Sequence, residues 1–209
     1  MRPVRHRLRT AAAFAAALIL AWAASLLLHE LGHGLAAQAL GGRVVWLRVR
    51  PGIEIWPAFG QVSGGPWGTA IAVVGYTTGP GWDENSWQGG VVGLMGSGFN
   101  LMLAALAWGG LWLYRPRGWL RLLLIAEALM FADLLLYCTL PLFGLPHYLV
   151  FGGDFPEPLV SAGALGFSWW AFLVTVGLVS ALMAWGLVAV VRRGRRKRSS
   201  CIDRSTFST

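Results

Sequence analysis

Charge is what this chain has least of. Asp, Glu, Lys and Arg make up 12% of its 209 residues, where soluble domains carry about 25%. A soluble globular domain is therefore excluded. Acids are scarcer than bases, nine against 17, but the basic excess does not form a nucleic-acid surface. It lies in three clusters flanking apolar runs: Arg2, Arg5, Arg7 and Arg9; Arg115, Arg117 and Arg121; and Arg192 through Arg198. That is loop asymmetry of the positive-inside kind, which leaves no place for a nucleic-acid partner. Only two cysteines occur, Cys138 in an apolar run and Cys201 in the basic tail, so no disulfide framework exists to hold a small secreted fold.

What is abundant is apolar sequence, 56% of the chain, with a mean hydropathy of +0.59. Runs long enough to span a bilayer lie at about 12–40, 88–114, 119–140 and 169–191. The first follows a basic leader, residues 1–10, and resembles a secretory signal sequence at its start. It continues well past a signal's apolar region of about 7–15 residues and ends at Gly41-Gly42. Between the first two runs, residues 43–87 change character. Val44 to Val49 is β-branched and aromatic, Ile53 to Trp56 alternates, and 60–68 is rich in turn residues. These patterns predict a small β-rich insert at the membrane surface. Prolines 141, 146, 156 and 158 mark residues 141–167 as a loop, and residues 192–209 read as a basic, disordered tail. The expected fold class is thus an α-helical polytopic membrane protein of about four transmembrane helices, with the insert between the first and second. With both termini cytoplasmic, all three basic clusters fall on one side of the bilayer.

Inside the first run stands His29-Glu30-Leu31-Gly32-His33. Histidines four apart on a helix lie about 40° apart around the axis and one turn apart along it, so both imidazoles can face one metal ion. Glu30 projects about 100° from His29, beside the metal. Two neutral imidazoles as ligands and a carboxylate to take a proton from metal-activated water are the requirements of a zinc hydrolase. Polar groups are costly in a spanning helix, and metal binding accounts for that cost.

Zinc needs a further protein ligand. His6 lies in the leader and His147 in the proline-rich loop. Two acids are better placed. Asp133 lies inside the third span, where an uncompensated carboxylate costs about 2.5–3.5 kcal/mol on insertion scales. Asp154, in Phe151-Gly152-Gly153-Asp154-Phe155, reaches the site if its loop folds back into the bundle. Asn100 is mid-span, able either to bond across helices or to hold a substrate near the metal.

Leu28 to Ala37, followed by Gly41-Gly42-Arg43-Val44, resembles the site-2 protease group of intramembrane zinc metalloproteases, the M50 peptidases, and within it the small bacterial M50B-like branch. The resemblance implies that His29 and His33 bind Zn2+, that Glu30 activates water, and that Asn100, ending the small-residue stretch from Gly96, lies near the site. It implies a later aspartate as third ligand, commonly in an Asp-Gly pair. This chain has no such pair. Asp133 matches by helix position and Asp154 by its glycine neighbourhood. The expected function is hydrolysis of peptide bonds in membrane-anchored proteins, in a bacterial plasma membrane. The alternatives are a catalytically inactive protein of the same fold that acts as a binding or regulatory partner, and a metal transporter. A transporter requires a polar path across the bilayer, whereas the cytoplasmic halves of these spans are nearly all apolar.

Overall fold

A computed structural model of the chain describes residues 2–50, 53–61, 72–83, 85–147 and 154–205. Helix α1 (Arg2–Ala39) leads into strands β1 (Arg43–Val49), β2 (Ile53–Trp56) and β3 (Ala72–Thr77). Helices α2 (Trp87–Leu113), α3 (Gly118–Ala128), α4 (Ala132–Thr139), α5 (Glu157–Ala164) and α6 (Trp169–Ser205) follow. Among the described residues, four helical segments are long and apolar enough to cross a membrane: Arg7–Ala39, Trp87–Leu113, Gly118–Phe143 and Trp169–Arg193. The third of these is α3 and α4 joined through a 3-10 turn, with a second 3-10 turn after it. Leu106, Trp170, Leu178, Leu182 and Trp185 are all more than half exposed. Water would penalise such a surface and lipid would not. The protein is an integral membrane protein with a small sheet between its first and second spans.

The end of α1 is set by its glycines. Gly41 takes a positive φ of 86°, a conformation that costs glycine little. Its N–H bonds to Gln38 O and that of Gly42 to Ala37 O, which caps the last carbonyls of the helix in a Schellman arrangement. The chain then enters β1, the middle strand of an antiparallel sheet ordered β2-β1-β3. On one side β1 pairs with β2, where Arg48 faces Glu54 in the register and bonds it at 3.1 Å. On the other it pairs with β3, Leu47 opposite Val74. The sheet lies on α1, with Val44 and Val74 against Gly34. Most of the predicted turn-rich stretch 60–68, and residues 69–71 and Glu84, lie outside the described residues.

Helix α2 touches every other helix and is the centre of the bundle. Small residues let its neighbours approach. At Gly32 of α1 an added Cβ would collide with the backbone of Met95, and at Gly93 it would collide with Ser161 of α5. Leu134, Cys138, Leu159 and Val176 pack α4, α5 and α6 together. Ala17, Ala21 and Ala126 join α1 to α3.

Two stretches differ from expectation. Residues 141–167 contain a helix, α5. Its first turn holds Glu157 and Pro158, and proline is tolerated there because the N–H it lacks has no helical partner in any case. The basic tail is helical through Ser205, in keeping with the helix propensity of arginine and lysine.

Candidate metal centre

His29, Glu30 and His33 lie on α1 where it is sandwiched between α2 and the sheet. Both histidines are buried, and their rings meet edge to face with centroids 4.9 Å apart. The Nε2 atoms of both rings converge on Gly96 of α2, where a Cβ would collide with them. The missing side chain at Gly96 therefore leaves the space the two nitrogens point into.

The opposite edges of the rings are engaged. Nδ1–H of His33 donates to the carbonyl of Val92 at 2.7 Å. Nδ1 of His29 lies 3.3 Å from Oδ2 of Asp133, a buried carboxylate on α4. In the neutral ring, donation from Nδ1 leaves the lone pair on Nε2, the form a metal requires. Asp133 is in turn held by Asn100, whose Nδ2 donates to the same Oδ2 at 3.1 Å. Asn100 is completely buried, and its Oδ1 has no hydrogen-bond partner among the described residues.

The carboxylate on the Nε2 side is Glu157, in the first turn of α5. Its Oε2 lies 3.8 Å from Nε2 of His33. Ligand atoms of His29, His33 and Glu157 all lie within 4.8 Å of one another. Tyr137 of α4 donates its hydroxyl hydrogen to Oε2 of Glu157 at 2.9 Å. Asp154, the other acid expected from the sequence, is exposed three residues before Glu157. His147 is buried and stacks on Tyr137.

Glu30 faces the sheet. The backbone N–H of Val74 in β3 donates to its Oε2 at 3.0 Å. A strand edge thus anchors one oxygen of this carboxylate.

The donor set suits zinc: two imidazoles oriented by partners behind them, one carboxylate, and a glycine leaving room between. Three carboxyl groups beside two imidazoles also make the cluster electronegative, and buried charge is costly unless it is paired. A divalent cation held there would balance it.

Of the residues singled out in the sequence, the two histidines, Glu30, Asp133 and Asn100 lie in one cluster, and Asp154 lies outside it. Glu157, Tyr137 and the Val74 amide, not singled out in the sequence, lie beside them. The one available signal was Glu157 between two prolines, a common setting for a helix start.

The model of peptidase family M50 matches residues 17–193 of the chain. No curated protein and no solved structure matches it.

Proposed function

The chain belongs to peptidase family M50, whose members are membrane zinc metalloproteases, and from that premise we propose that it hydrolyses peptide bonds of membrane-anchored proteins. The observation that supports this most is the convergence of two buried Nε2 atoms on Gly96, with the Glu157 carboxylate within 4.8 Å. His29, His33 and Glu157 are the proposed metal ligands. Asp133, the third ligand expected from the sequence, lies at Nδ1 of His29, and we assign it the role of orienting that ring.

Held by His29, His33 and Glu157, zinc would supply a Lewis acid for water and the scissile carbonyl. Glu30 takes the proton from the attacking water and delivers it to the leaving amine nitrogen. The Val74 N–H holds one oxygen of Glu30 in place, so the other oxygen carries the proton without a change of rotamer. Asn100 fixes Asp133 through Nδ2, and its buried Oδ1 meets a substrate N–H only when the substrate segment enters between the helices. The substrate's backbone must be exposed before attack, so its transmembrane helix unwinds locally. An extended segment is then accommodated by pairing with the edge of β3 beside Glu30, strand to strand.

The proposed orientation puts both termini in the cytoplasm. Arg193 of α6 lies over the ring of Trp112 near the end of α2, at 5.0 Å, and Ala17 and Leu18 of α1 pack near Leu122 and Leu123 of α3. These contacts support placing the three basic clusters on one side. A bacterial plasma membrane of the usual polarity, and the M50B-like branch of the family, complete the reading.

Metal dependence tests it. The full chain, purified in detergent, should cleave a reporter carrying a transmembrane segment, stop after chelation, and resume with added zinc. Bound zinc without cleavage is the outcome expected of the rival, an inactive binding or regulatory partner.

A further inference from the structure

Glu157 is the most exposed of the three proposed ligands. The histidines are fixed by α1 and by their Nδ1 partners. Glu157 instead stands on the short helix α5, and about a third of its side chain is exposed. A flexible carboxylate must lose rotamer freedom to ligate, so something should hold it.

Tyr137 is the group in place to do so. Its hydroxyl donates to Oε2 of Glu157 at 2.9 Å, and its ring centroid lies 5.6 Å from that of His29. The ring is itself clamped. His147 stacks on it with centroids 3.8 Å apart and planes 17° from parallel. His147 follows the 3-10 turn Leu140–Phe143, closed by Gly144 at a φ of 70°, so the chain doubles back to lay the imidazole on a tyrosine ten residues earlier. The stacked imidazole restricts the ring plane of Tyr137. The stack therefore fixes where the Tyr137 hydroxyl oxygen sits, within reach of Glu157.

We infer that Tyr137, clamped by His147, is a positioning residue that holds Glu157 in the orientation for metal binding. The inference rests on Glu157 being a ligand. The hydroxyl holds Oε2, the same oxygen that lies 3.8 Å from Nε2 of His33, so it fixes the carboxylate edge turned toward the two imidazoles; losing such an outer partner typically costs 10–100-fold in metal affinity. Tyr137→Phe deletes only the hydroxyl and keeps the ring against His147.

The experiment measures zinc affinity of the full chain in detergent by competition with a graded chelator. Visible spectra of the cobalt-substituted protein are recorded in parallel. Tyr137→Phe should weaken zinc binding roughly 10–100-fold and change the cobalt spectrum, with thermal unfolding of the metal-free protein unchanged. In a Glu157→Ala background the same substitution should add nothing further. His147→Ala should weaken binding in the same direction, and His147→Phe, which keeps a stacking ring, should restore it. Wild-type affinity and spectrum in Tyr137→Phe overturn the inference, as does an equal loss in both backgrounds. If Glu157→Ala itself binds zinc normally, it is the ligand assignment that has failed.

Discussion

Asp133 stands behind His29 rather than between the two histidines: its Oδ2 lies 3.3 Å from Nδ1, while Nε2 faces the gap at Gly96. A carboxylate at Nδ1 makes the imidazole a better donor at Nε2 and fixes the ring plane. On the proposed reading the two acids differ in kind, Asp133 tuning a ligand and Glu157 acting as one.

The difference is measurable as a ranking. Asp133→Asn keeps an oxygen able to accept from Nδ1–H, and zinc affinity should fall by about tenfold, at the low end for outer-sphere partners. Glu157→Ala removes a ligand outright and should leave the purified chain without stoichiometric zinc. Metal analysis after gel filtration decides. Zinc retained by Glu157→Ala but lost from Asp133→Asn would reverse the two roles.

Gly96→Ala probes the gap. Alanine is the better helix former by about 1 kcal/mol, so an exposed glycine would tolerate the change or gain from it. Here the new Cβ would collide with Nε2 of both His33 and His29. The expected result is a chain of unchanged helical circular dichroism that binds little zinc and has no activity. Wild-type zinc content would mean that the nitrogens do not meet at this glycine.

The histidine pair and Glu30 were legible because a helix brings residues four apart together wherever it lies, and the spans were legible because lipid demands long apolar runs. The sheet was legible from the β-branched stretch Val44 to Val49. The remaining part of the site was not, for two reasons. Glu157 sits 124 residues from His33, on a helix whose flanking prolines read as loop until their place in the first turn is known. The Val74 amide that anchors Glu30 leaves no trace in the sequence, since every residue but proline carries an N–H. Asp133 was found from its cost inside the membrane, but cost does not tell which edge of an imidazole an acid will meet.

Orientation is open to a test that uses a native residue. Cys201 lies in the basic tail, and the other cysteine, Cys138, is buried among α4, α5 and α6. In a Cys138→Ser variant, a membrane-impermeant maleimide added to intact bacterial cells should leave Cys201 unlabelled, and should label it once the membrane is opened. Labelling in intact cells would invert the topology.

The salt bridge in the insert predicts a local effect. Glu54 is buried, bonds Arg48 at 3.1 Å and accepts the N–H of Ala58 at 3.2 Å. Removing one partner strands the other, and with Arg48 part-exposed the cost should be about 1–3 kcal/mol, below that of a fully buried pair. Glu54→Ala should speed proteolysis of the β1–β2 hairpin while zinc content is unchanged. Equal proteolysis rates would show that the pair does not hold the hairpin.

The central claim is that Glu30 moves the proton for hydrolysis at a metal held by other residues. Glu30→Gln tests it most directly, because the amide can still accept the Val74 N–H but cannot act as a base. Wild type and variant should be reconstituted in lipid vesicles with a reporter carrying one transmembrane segment, and zinc and cleavage measured on the same samples. The account predicts wild-type zinc in both and cleavage only by wild type, with the variant slower by at least 100-fold, as expected from loss of general-base catalysis. Cleavage by Glu30→Gln at the wild-type rate would contradict it.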